Sequence, residues 1–149
     1  MKIIVIMGMI ICFTNNVWAD DNLTTQRIEQ SIKECAEIFQ KEEQKCTDKW
    51  SMRCYDYLMS LNYKTQKCYV KIMTDIFSEF YGQDKEKASE KANEYINFMR
   101  EQYMFIYGDT NYCRKNNCGI SPYLYSEYAT TQALENHVIR AIRVVKSHQ

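Results

Sequence analysis

Residues 35–68 read CAEIFQKEEQKCTDKWSMRCYDYLMSLNYKTQKC, and the fold turns on how their four cysteines pair. Cys35, Cys46, Cys54 and Cys68 punctuate two stretches with helical periodicity. Cys35 and Cys46 would lie roughly 16 Å apart along a helix axis, and Cys54 and Cys68 roughly 21 Å. A disulfide tolerates only about 7 Å between Cα atoms, so neither helix can be bridged to itself. The bonds must cross between two antiparallel helices, inner to inner and outer to outer. That predicts Cys46–Cys54 beside the turn and Cys35–Cys68 farther along. The two arms differ by three residues, about 4.5 Å of stagger, which the turn has to absorb.

Outward from this hairpin, the apolar pattern continues in both directions at helical spacing. Toward the N-terminus, a first helix is expected from an N-cap at Thr24 or Thr25, with Ile28, Ile32, Cys35, Phe39, Cys46 and Trp50 on its inner face. Glu29–Lys33 and Glu37–Lys41 sit four apart on its outer face, where such pairs add modest support. Ser51 is placed to cap the second helix, whose stripe is Cys54, Leu58, Leu61, Cys68, Ile72, Ile76 and Phe80, and Gly82 ends it. Asp84 then caps a third helix that opens with the charged run 84–91, read as a solvated face. Its inner stripe is Ala88, Ala92, Tyr95, Met99, Tyr103 and Ile106, and Gly108 closes it. Ser121-Pro122 opens a fourth helix, since proline suits the first helical position. That helix runs through Leu124, Tyr128, Thr131, Leu134, Val138, Ile142 and Val145. After residue 19, glycine and proline occur only at Gly82, Gly108, Gly119 and Pro122, all at breaks in the period. The fold class expected is therefore all-α: a disulfide-stapled, up-down-up-down four-helix bundle built on an N-terminal hairpin.

The start of the chain predicts the compartment. Met1-Lys2 is a short basic segment, residues 3–13 are apolar, and Val17-Trp18-Ala19 offers small residues at −3 and −1 of a cleavage site. The apolar run is too short to span a bilayer. We expect residues 1–19 to be a cleaved signal peptide, carrying Cys12 with it, and residues 20–149 to be a single exported domain, periplasmic or secreted. Six cysteines then remain, an even number suited to disulfides outside the cytosol. Loss of Lys2 leaves one fewer basic than acidic side chain, so a concentrated positive surface for nucleic acid is not expected.

One irregular segment is expected, from Gly108 to Ser121. Cys113 and Cys118 suit a local bridge that would hold Arg114, Lys115, Asn116 and Asn117 out as a closed loop. Tyr103, Phe105, Tyr107, Tyr112, Tyr123, Tyr125 and Tyr128 crowd around it. Tyrosine and arginine are favoured where proteins bind tightly, which makes Arg114, Lys115, Tyr107, Tyr112, Tyr123 and Tyr125 the candidate partner-binding residues. The bland alternative is a capped bundle end with wetted hydroxyls.

Catalytic and cofactor signatures are missing. The histidines are His137, mid-helix, and His148, at the end. There is no H-E-x-x-H, no Glu-x-x-His pair and no C-x-x-C-H, so neither metal nor haem is expected. Arg140, Arg143 and Lys146 suit a helix C-terminus, with a membrane-surface face as the alternative. The cysteine hairpin resembles the twin C-x-C hairpins of small mitochondrial proteins, but those have matched spacings. The helix from Cys35 to Cys46, followed by Asp56 and Leu61-Asn62-Tyr63, is similar to bacterial periplasmic lysozyme inhibitors of the LprI type. That likeness covers about a quarter of the mature chain, departs in the spacing from the aspartate to the Leu-Asn pair, and transfers no functional residue. The reading is a non-enzymatic exported binding protein, an inhibitor or immunity-type partner of another exported protein. The alternatives are a carrier of a small apolar ligand in the bundle core, a lysozyme-inhibitor-like protein, and an enzyme using a carboxylate pair.

Overall fold

Helix punctuation in the structure follows local chemistry closely. The computed structural model describes residues 2–46, 51–108, 110–116 and 121–147, with side chains from Leu23 onward apart from those of Thr110, Tyr112 and Cys113. Among the described residues five helices succeed one another: α1 (Lys2–Glu43), α2 (Met52–Tyr81), α3 (Lys85–Tyr107), α4 (Thr110–Asn116) and α5 (Pro122–Ser147). Ser51 caps α2 by accepting from the Cys54 amide at 3.2 Å. Gly82 closes it in the left-handed region at φ 61°, where a side chain would be strained, and the next amide, Gln83, reaches back to the Phe77 carbonyl. Asp84 accepts from the Glu86 and Lys87 amides, and Ser121 Oγ from the Leu124 amide. Gly108 is needed for a different reason. Its backbone is ordinary, but a Cβ there would lie 2.4 Å from the Met104 carbonyl oxygen.

Both expected hairpin disulfides are present. Cys35 and Cys68 have Cα atoms 6.1 Å apart, and Cys46 and Cys54 5.6 Å. The stagger is absorbed beyond α1, where Lys45 and Cys46 bond back to the carbonyls of Glu42 and Glu43 in tight three-residue turns. The Cys113–Cys118 bridge and the inward placement of Trp50 fall outside the described residues.

Three expectations need correction. Thr24 and Thr25 do not cap a helix, because α1 runs unbroken through them and the Thr25 side chain is turned fully into the core. Nothing between residues 9 and 43 is glycine or proline, so the backbone has no reason to stop there. The segment after Gly108 is not irregular throughout, since the helix α4 occupies Thr110–Asn116. It too lacks glycine and proline, and Arg114 and Lys115 in its last turn offset the helix dipole. Ile106 is not part of the α3 stripe. The buried residues of α3 are Ala88, Ala92 and Ile96, each one turn from the last, while Ile106 faces solvent.

The packing is not a square of four helices. α2 and α5 lie side by side in parallel, with α3 against both on one flank and α1 against α2 and, more lightly, α5 on the other. Two apolar clusters fill this arrangement. The larger takes Ile28 and Ile32 from α1, Tyr69, Ile72 and Ile76 from α2, Ala92 and Ile96 from α3, and Leu134, Val138 and Ile142 from α5. The smaller joins Cys46, Leu58, Leu61 and Leu124 near the hairpin turn. Burying each large aliphatic side chain stabilises the fold by about 1.5–3 kcal/mol. Between the clusters sits a polar layer of Asn62, Thr65, Gln66, Glu127, Thr130 and Thr131. At the far end, Lys146 reaches Glu29 of α1 at 2.7 Å, a pair exposed enough to add little. No described helix is long and apolar enough to cross a membrane.

Candidate functional site: the aromatic end and the polar layer beneath it

Chain alternation gathers the C-terminal ends of α1 and α3, all of α4 and the N-terminal ends of α2 and α5 at one end of the bundle. Of the candidate residues, the structure brings Tyr107 and Tyr125 into contact. Their rings meet edge to face at 5.1 Å between centroids, and Tyr103 stacks almost parallel on Tyr107 at 5.7 Å. Tyr123, in the first turn of α5, points outward instead and is more than half exposed. Arg114 and Lys115 stand exposed on α4, with Arg114 donating to Asn111 Oδ1 at 3.1 Å. The Tyr112 side chain lies outside the described residues. Two further residues belong to this surface: Phe105, 86 % exposed, and Ile106, nearly half exposed. Phe98 lies two turns before Phe105 on the same solvent face of α3 and is also exposed. The signal for this was present, since the i, i+4 run of Ala88, Ala92 and Ile96 puts Phe98 and Phe105 on the opposite side.

The last turn of α1 and the start of α2 are tied together by charge and hydrogen bonds. Tyr57 donates to Glu42, and Lys45 bonds the other oxygen of the same carboxylate at 2.5 Å. The Lys45 bond, then the Tyr57 bond, hold the Glu42 carboxyl below the usual carboxylate range, and the Tyr57 hydroxyl is raised by Glu42 in turn. Tyr128 on α5 closes the neighbouring side by donating to Glu43 at 2.7 Å and meeting the Phe39 ring edge-on at 5.6 Å.

Beneath this end lies the polar layer, which sequence reasoning did not find. Glu127 is 1 % exposed. It accepts from Gln66 Nε2 at 2.8 Å and faces Arg100 Nε at 3.5 Å. Arg100 also donates to Gln66 Oε1 at 2.5 Å and lies over the Tyr63 ring, 5.0 Å from its centroid. Thr131 donates its hydroxyl to Asn62 Oδ1 at 2.8 Å, and Asn62 returns its amide to the Leu58 carbonyl. The layer thus links α2, α3 and α5 through one buried carboxylate. Its trace in the sequence was a gap: the α2 stripe has no apolar member between Leu61 and Cys68, and Asn62, Thr65 and Gln66 fill the inner face there.

His137, the one histidine among the described residues, packs against Tyr95 with centroids 4.5 Å apart and exchanges a 3.0 Å hydrogen bond through Nδ1 with the Tyr95 hydroxyl. Burial, then the charge of Arg140, push its pKa below the ordinary histidine value. Clefts open between the described helices. One of about 400 Å³ runs along the α1–α2 hairpin past Ile38, Tyr57, Lys64 and the Cys35–Cys68 bridge. One of about 210 Å³ lies between α1 and α5, floored by Thr65 and Tyr69.

No protein-family model matches this chain, and neither a curated protein nor a solved structure is significantly similar to it. The likeness of the hairpin to periplasmic lysozyme inhibitors therefore gains no support beyond the residues that prompted it.

Proposed function

We propose that this chain is a non-enzymatic, exported binding protein that docks another exported protein through the aromatic end of its bundle. One observation carries the reading. Phe105, Ile106 and Tyr123 are held out in water beside the packed Tyr103–Tyr107–Tyr125 group, with Arg114 and Lys115 presented on a short helix next to them. A rigid platform of this kind loses little side-chain entropy on association, and aromatic and arginine anchors dominate interface energies. Two disulfides, both across the first hairpin, belong with an oxidising compartment. In this reading residues 1–19 direct export and are removed, and the inhibitor or immunity-type role is the finer form of the proposal. The bundle interior is taken up by two apolar clusters and a polar layer, which leaves the carrier reading without a favouring observation.

The test uses the purified exported protein to capture a partner, followed by affinity measurements on Phe105→Ala and on Arg114→Ala/Lys115→Ala beside their thermal melts. Exposed substitutions of this kind shift stability by about 0.5 kcal/mol or less. Loss of a central anchor costs about 2 kcal/mol, roughly thirtyfold in affinity. An acidic partner would add a fall in association rate as salt rises. Unchanged affinity in both variants with unchanged melts refutes this placement and moves the site to the outer face of the α1–α2 hairpin.

A further inference from the structure

We propose that the cleft along the α1–α2 hairpin is a binding site for a small carboxylate with a short apolar body, either a free acid or the C-terminal residue of a peptide. At about 400 Å³ the cleft falls within the roughly 300–1,000 Å³ that encloses a small ligand. Part of its lining is apolar. Ile38 of α1 lines it while 58 % exposed, and Leu61 of α2 and the Cys35–Cys68 bridge line it as well. The bridge fixes the spacing of the two helices, so the cleft is formed before a ligand arrives and little ordering is lost on binding.

The polar side chains of the lining divide into those already engaged and those that are not. Glu42 accepts from Lys45 and from Tyr57, which occupies both the carboxylate and the phenol. Thr65 gives its hydroxyl proton to the Leu61 carbonyl at 2.9 Å. Ser60 and Lys64 have no side-chain partner among the described residues. They stand four residues apart on α2, one turn from each other on the same face, so both can reach one bound group. Both are donors, and Lys64 is charged. With Lys45 counted, two ammonium groups stand against the Glu42 carboxylate, a surplus of one positive charge. A carboxylate accepts from both free donors and supplies the missing negative charge. An ammonium ligand would meet Lys64 and find Glu42 taken, and a wholly apolar one would leave both donors without an acceptor. The site lies on the hairpin surface rather than in the bundle core. It uses none of Phe105, Ile106, Tyr123, Arg114 and Lys115, so its test and that of partner docking fail separately.

The experiment is an NMR titration of the purified protein at neutral pH with sodium hexanoate and, in a parallel arm, N-acetyl-leucine. Hexanamide and N-acetyl-leucine amide serve as neutral references of the same shape. Saturable shifts of the Ile38 and Leu61 methyl signals are expected with the acids, and far weaker binding with the amides. Tighter binding of hexanoate assigns the site to a free acid, and tighter binding of N-acetyl-leucine to a peptide C-terminus. Lys64→Met keeps an unbranched stem and should weaken acid binding about tenfold, since a charge-assisted bond is lost. Ile38→Ser should weaken it severalfold and leave the preference for acid over amide intact. Both positions are exposed, so the melts of these variants should stay close to that of the parent. The proposal is overturned if neither acid gives saturable shifts at these methyls, if the amides bind as tightly, or if Lys64→Met binds the acids as the parent does.

Discussion

Arg100→Met tests whether the buried polar layer is held together by charge. The Arg100 side chain is about a quarter exposed, whereas the Glu127 side chain it faces is 1 % exposed. Replacing it with methionine keeps much of the stem's packing and leaves the buried carboxylate with the Gln66 amide as a donor. Breaking a fully buried pair from one side costs about 3–5 kcal/mol. Water reaches the arginine end here, so the lower figure for a charged hydrogen bond applies, about 1.5–3 kcal/mol. For a chain of this size that is a fall in Tm of roughly 5–10 °C. Glu127→Gln alone should cost about 1 kcal/mol, because the amide oxygen can still accept from Gln66 while the arginine turns to solvent. Combining the two removes both charges, so the double variant should lose less than the two single losses added together, by 1 kcal/mol or more. Urea unfolding of all four proteins at neutral pH closes the cycle. An Arg100→Met loss below about 0.5 kcal/mol, or additivity within that margin, would mean that the layer is mere hydrogen-bonded packing.

Three further outcomes are expected. Removing the outer bridge with Cys35→Ala/Cys68→Ala should cost about 3.8 kcal/mol in the chain-entropy model, against about 2.6 for Cys46→Ala/Cys54→Ala, because it closes the longer loop; melts in which the inner pair matters as much contradict that ordering. Ser126 Oγ is fully buried with no hydrogen-bond partner among the described residues, so Ser126→Ala should raise stability by about 1 kcal/mol, and a destabilised variant would show that the hydroxyl is satisfied in solution. His137 has a depressed pKa in the folded chain, so the unfolded chain binds the proton more readily and stability drops as pH falls through and below about 6.5. The stability difference between the parent and His137→Gln should therefore be larger at pH 7 than at pH 5, and a difference independent of pH would exclude this linkage.

What could be read from residues alone was whatever depends on distance along one helix. The pairing of Cys35 with Cys68 and of Cys46 with Cys54 follows from helical rise and the reach of a disulfide. The stops and starts at Ser51, Gly82, Asp84 and Ser121 follow from unsatisfied backbone groups within a turn of each cap. Those forces act between near neighbours in sequence, so four of the five helices could be placed before any packing was known. Thr24 or Thr25 as a cap and the irregular segment after Gly108 failed for the same kind of reason in reverse. A good capping residue or a nearby cysteine pair does not end or unwind a helix when no glycine or proline intervenes.

Tertiary structure alone decided what each face meets. Periodicity marked Leu61 and Cys68 as inward but gave no reason for Asn62, Thr65 and Gln66 to be buried between them. Only the parallel contact of α2 with α5 supplies Thr131 and Glu127 as partners, and only α3 brings Arg100 to the same place. The same holds for the surface. Tyr107 and Tyr125 meet and Phe105 and Tyr123 face outward because α3 packs against α5 there, a geometry set by contacts between residues far apart in the chain. A polar side chain is stable in a core only if its hydrogen-bond partner is there too, and that partner lies on another helix.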